Sequence, residues 1–194
     1  MAGFSTRIDL TGLEGARRIA AKVKALGGDP EPLLKDAGSV LVASTIERFA
    51  SESGPGDIPW PKSKAALGLA PRASGKKTPG KTLEDTGDLL DSIRYELRPG
   101  EVEVGSDGLK NPVKALANQF GSQRQTVVMA HVRVINQAFG MPLPGGPMPV
   151  DVRAHGRVTN IPARPFVGID DQDRRDLMKA WIVTLRRLFN ARVD

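Results

Sequence analysis

The chain's 194 residues suit one folded domain, and a composition 40% hydrophobic and 26% charged is that of a globular protein rather than a disordered one. The absence of cysteine excludes disulfides, thiolate metal sites and thiol catalysis, and an aromatic content of 5% leaves the core to Leu, Val, Ile and Ala. The net charge of +6 is unevenly spread: residues 83–109 carry 8 acidic and 2 basic groups, between a stretch at 51–82 with 6 basic and 2 acidic and one at 110–165 with 7 basic and 1 acidic.

Residues 11–28 have the spacing of an amphipathic helix, with Leu13, Ala16, Ile19, Ala20, Val23 and Leu26 on one stripe and Gly27-Gly28 to end it. Asp29 is placed to cap a second helix, with Pro30 at its first position, running to about Ser51. Its apolar residues cover more than one face, so it should be buried on several sides. Periodicity then vanishes over 52–82, a long basic loop punctuated by glycines and prolines. Trp60, between two prolines, is either an exposed anchor or a plug at the edge of the core.

Thr86 can cap a short helix containing Asp88 and Asp91. Ile93, Tyr95 and Leu97 then alternate with Arg94, Glu96 and Arg98, Pro99-Gly100 forms a turn, and Val102 and Val104 alternate with glutamates, which predicts a hairpin. Asn111-Pro112 opens another helix with Val113, Leu116, Ala117 and Phe120 expected on its buried face. Residues 122–158 read as a β-ribbon arm with an irregular tip at 140–149, too thin to stand alone. Like the 52–82 loop, the ribbon has few large side chains to tie it to its own subunit, so both are expected to serve as assembly arms. A last helix starts near Asp170-Asp171 and carries Leu177, Trp181, Leu185 and Leu188, with Met178, Ile182 and Phe189 widening the stripe. The expected fold class is α+β, an antiparallel sheet packed by helices, in a single domain over 1–194.

No catalytic or metal-binding constellation stands out. His131 and His155 could face each other across the ribbon, with only Asp151 as a third ligand, so neither a metal nor a catalytic site nor a cofactor is expected. The acidic residues at 170–176 suit a helix start. No apolar run approaches the roughly 18 residues of a membrane span, and Met1–Asp9 lacks the pattern of a secretory signal, which points to synthesis in the cytoplasm and no membrane partner. The basic stretches leave one physical alternative open, a DNA-binding or packaging accessory protein, although aromatic platforms and recognition motifs are missing.

Five segments in order carry a resemblance: Gly56-Asp57-Ile58-Pro59-Trp60-Pro61, Leu83 to Ile93, Val102-Glu103-Val104-Gly105-Ser106, Asn118-Gln119-Phe120-Gly121, and Ile161-Pro162-Ala163-Arg164-Pro165-Phe166-Val167-Gly168 followed by Asp173. Together they resemble the phage virion morphogenesis family of Mu-like tailed bacteriophages, proteins similar to the tail-completion proteins of long-tailed phages. Asn118 departs from that pattern, which has histidine there. The resemblance implies a structural, non-enzymatic virion protein at the head–tail junction. It implies a homo-oligomeric ring, a hexamer to match the tail, made in the host cytoplasm. Expected partners are other head–tail connector proteins, the tail tube or terminator, and genomic DNA passing through the lumen. Candidate contact residues are Trp60, Asp88, Asp91, Arg164 and Phe166. The prolines flanking Arg164 hold it extended, pointing Phe166 inward and Arg164 outward unless it is a buried, paired arginine.

Overall fold

The computed structural model describes residues 14–25, 28–72, 75, 78–107, 112–138 and 141–190. Leu13, Leu26, Gly27, Asn111 and the start of the ribbon tip lie outside them. The fold is α+β: five helices and, among the described residues, five separate two-stranded antiparallel pairs. The chain divides into two compact units, one made of the segments before Gly121 and after Ile161, the other of Gly121–Ile161.

In the larger unit, α1 (Glu14–Ala25) and α2 (Glu31–Ser51) follow the predicted order. The cap of α2 sits one residue later than expected: Pro30 takes the cap position, and the Asp29 carboxylate accepts from the Glu31 amide at 2.9 Å. Leu33, Ala37, Leu41, Thr45, Arg48 and Phe49 of α2 are all buried, as its broad apolar pattern requires. Strands β1 (Ser53–Gly54) and β2 (Ile58–Pro59) pair just beyond it. A single helical turn, α3 (Asp88–Asp91), follows Gly87, whose φ of 86° is a left-handed conformation that suits glycine. Then β3 (Ile93–Arg98) and β4 (Glu101–Ser106) form the predicted hairpin, Tyr95 opposite Val104.

The hairpin lies on α2. Gly38 permits this: a Cβ there would collide with the Tyr95 ring, so the ring occupies the space of a missing side chain. Helix α4 (Pro112–Phe120) has the predicted extent but a different phase. It buries Ala115 and Gln119, while Val113 and Phe120 are exposed. The apolar count misplaces the helix because its inward anchor is a polar glutamine.

Helix α5 (Asp171–Asn190) lies along α2. Val23, Leu33, Ala37, Leu177 and Trp181 form one apolar cluster, with Ile19, Val102 and Leu185 packed around it. Two polar ties fix the pair: Trp181 Nε1 donates to the Leu33 carbonyl at 2.8 Å, and the Thr184 hydroxyl to Asp36 at 2.6 Å. Met178 and Ile182 do not widen the buried stripe; both are exposed.

The smaller unit is an antiparallel ribbon. Strand β5 (Ser122–Val128) pairs with β10 (His155–Ile161), β6 (His131–Ile135) pairs with β9 (Met148–Val152), and short β7 (Gln137–Ala138) and β8 (Met141–Pro142) pair toward the tip. Ser122 stands opposite Ile161, Val128 opposite His155, His131 opposite Val152 and Ile135 opposite Met148, so one register runs through both main ladders. Between them the ladder is interrupted at residues 129–130 and 153–154. The two histidines do not face each other, since each lies opposite a valine. Each ring instead bonds the carbonyl two residues back beside the interruption, His131 Nδ1 to Met129 at 3.0 Å and His155 Nδ1 to Arg153 at 2.9 Å.

Candidate functional site

Four of the five segments singled out by sequence converge on one buried joint. After the ribbon the chain returns as an extended stretch, 162–169, laid against the end of α4. Gln119 substitutes for a neighbouring strand there. Its Oε1 accepts from the amides of Phe166 and Val167 at 3.0 and 3.1 Å, and its Nε2 donates to the Val167 carbonyl at 2.7 Å. A buried extended segment must satisfy its backbone, and this one does so through a single side chain. Trp60 Nε1 donates to the Pro165 carbonyl at 2.9 Å. The Trp60 ring meets Phe49 edge-on at 5.5 Å, and Phe49 meets Phe166 at 5.6 Å. Ile93, Ala115 and Val167 complete the cluster, with Leu83, Leu89 and Leu90 packed on it.

Trp60, Phe166 and Arg164 are therefore buried in the subunit, at 4%, 3% and 5% exposure. Of the two readings open for Arg164, the structure has the buried, paired one rather than the outward one. Its Nε donates to the Pro61 carbonyl at 2.7 Å and its Nη1 to Asn118 Oδ1 at 3.1 Å, which ties three of the motif segments together. Desolvation lowers the guanidinium pKa from its ordinary value. Asn118, the departure from the family pattern, is this arginine's partner.

A second polar cluster lies at the start of α5. Arg48 Nη2 bonds Asp173 at 2.5 Å and Asp170 at 3.1 Å, and its Nη1 donates to the Gly168 carbonyl at 2.9 Å. Asp170 and Asp173 cap each other's amides: Asp170 Oδ1 accepts from the Asp173 amide at 3.0 Å, and Asp173 Oδ2 from the Asp170 amide at 2.9 Å. The Gly56 amide also donates to Asp170, at 3.0 Å. Partial burial would raise the Asp170 pKa, but the amides of Asp173 and Gly56 and the Arg48 charge outweigh it and bring the group to about 2. Sequence reading explained the aspartates as helix caps and missed Arg48; its place within an apolar helical stripe is the signal that could have found it. A groove of about 590 Å³ opens beside the cluster, lined by Glu47, Arg48, Asp57, Asp170, Arg174 and Arg175 among others, and its innermost charges already bond each other.

The 52–82 loop is held by its own subunit more firmly than its composition suggests. The Trp60 amide donates to the Glu52 carbonyl at 2.8 Å, and the Glu52 carboxylate holds Lys62 and the Thr82 amide, which together keep its pKa low despite the opposing effect of burial. Arg72 bridges to Asp85 at 3.1 Å and to the Glu84 carbonyl at 2.7 Å. Lys76 and Lys77 lie outside the described residues. Asp88 and Asp91, by contrast, are exposed on α3. No group of three or more His, Asp or Glu among the described residues is arranged to hold a metal ion.

Residues 11–185 match the sequence profile of the phage virion morphogenesis family. The chain belongs to that family. No curated protein and no solved structure matches it. This is thus a bacteriophage protein of virion assembly, and no helix among its described residues is long and apolar enough to cross a membrane. Four of the five motifs that carry the family resemblance are, in this member, the parts of the joint: 56–61, 118–121 and 161–168 bond one another, and 83–93 packs on the aromatic cluster they enclose.

Proposed function

We propose that this protein is a structural component of the phage neck. It completes the tail and joins it to the head as a ring of subunits around the DNA channel, without catalysis. Membership of the virion morphogenesis family over residues 11–185 carries this reading. The architecture supports it: the interior charges are bonded to one another and to backbone, which suits a scaffold, and a β-ribbon of 41 residues forms a compact unit of its own, available to neighbours.

The test is a phage lacking this gene, complemented with the protein carrying a visible tag. Filled heads and finished tails that fail to join, with restored virions showing a tagged ring at the neck, are expected. Normal virions without the protein, or a tag located elsewhere in the particle, overturn the reading. Tight, salt-sensitive duplex binding by a monomer would favour the packaging-accessory alternative instead.

A further inference from the structure

In the helical unit five arginines have acidic partners: Arg48 with Asp170 and Asp173, Arg72 with Asp85, Arg94 with Asp107, Arg98 with Glu96 and Glu103, Arg174 with Asp171. The ribbon's Arg124 and Arg157 are exposed and have no acidic partner among the described residues. Residues directly opposite in a ladder share a face, and side chains alternate along each strand. Thr126 lies opposite Arg157 and Arg124 opposite Thr159, so both arginines stand on one face, with His155 opposite Val128 on the same side. The other face carries Val127 and Val158, at 69% and 60% exposure. A ribbon with exposed aliphatic side chains on one face and unpaired cations on the other suits a protein neighbour better than a phosphate backbone.

The acidic 83–109 segment is mostly neutralised within the subunit, as Lys81–Glu84, Arg72–Asp85, Arg94–Asp107 and the Arg98 pairs show. Asp88 and Asp91 are the exception. Both are exposed, and neither forms an ion pair among the described residues. Diagonal residues on a ladder lie about 7–8 Å apart and residues three apart on a helix about 5–6 Å, a difference that arginine side chains span readily.

Resting on the ring reading above, we propose that the basic face of the ribbon docks on α3 of a neighbouring copy, with Arg124 and Arg157 pairing with Asp88 and Asp91. The contact is head-to-tail, joins an unpaired anionic pair to an unpaired cationic face, and repeats around a closed ring.

The chain has no cysteine, so an introduced pair reports contact directly. Virions are assembled with Asp88→Cys/Arg157→Cys protein, oxidised mildly and run on a non-reducing gel, beside the two single variants. A ladder of multimers from the double variant alone is expected. In parallel, Asp88→Lys/Asp91→Lys and Arg124→Asp/Arg157→Asp should each lower plaque titre at least a hundredfold, and their combination should recover most of that loss. Absence of the ladder in virions that contain the protein at the neck overturns the contact and leaves the ring reading standing. Absence of the protein from the neck overturns both. Charge reversals that abolish duplex DNA retention without affecting the ladder assign those arginines to DNA.

Discussion

Arg48 is the residue on which most of the interior polar structure depends. Asp173 is only 3% exposed, so removing the guanidinium strands a buried carboxylate. Arg48→Met should cost about 3–5 kcal/mol, the range for breaking a buried pair from one side, and a thermal melt should show a fall of roughly 10 °C or more. Asp170 gives a pH signature. Its folded pKa of about 2 lies below the unfolded value, so its contribution is present above pH 4 and is lost as pH falls through 2. Asp170→Asn should therefore flatten the loss of stability between pH 4 and 2, by about 2 kcal/mol, in denaturant titrations at stepped pH. Gln119→Glu keeps the size and the acceptor oxygen but replaces the donor facing the Val167 carbonyl with a second carboxylate oxygen. It should destabilise by about 1–3 kcal/mol, and a Gln119→Glu protein as stable as the wild type would show that the carbonyl finds another donor.

At the scale of elements, the ribbon behaves as an insertion. The Arg164 amide bonds the Asn118 carbonyl, and Ser122 stands opposite Ile161, so the chain leaves and re-enters the helical unit at nearly one point. Replacing 122–160 with a short Gly/Ser linker should leave a folded protein with its α-helical circular dichroism and cooperative melt intact, but unable to complement the phage. Loss of the cooperative melt would mean that the ribbon is needed for the helical core. The elements themselves were largely legible. The β3–β4 hairpin follows from period-two alternation around Pro99-Gly100, and α5 from the repeat of Leu177, Trp181 and Leu185. The phase of α4 was not legible, because a glutamine that substitutes for a strand looks like a surface residue. The joint was legible only as motifs in order. Why those residues are needed depends on bonds between positions 40 to 120 apart, which no local pattern reports.

For the whole molecule, a pI near 9.8 does not by itself make a DNA clamp. Of the loop's five lysines (Lys62, Lys64, Lys76, Lys77 and Lys81), Lys62 is held by Glu52 and Lys81 lies 3.4 Å from Glu84. The lumen of the proposed ring should be near neutral or acidic, since a wall of cations would hold a genome that has to leave. The purified protein should accordingly retard duplex DNA only below about 100 mM salt, a gel shift persisting at physiological salt being the contrary result. One feature of the ribbon bears on how such a ring closes. Where the ladder lapses at 129–130 and 153–154, no strand pairing resists bending, and two imidazoles hold the carbonyls on either side. The ribbon is thus two ladders, of 7 and 5 residue pairs, joined across an unpaired step. In the proposed ring the inner ladder would settle on a neighbour while the outer one, with its proline-rich tip, takes its own angle. A joint assembled from many identical arms can then close over small irregularities in spacing without straining any single subunit.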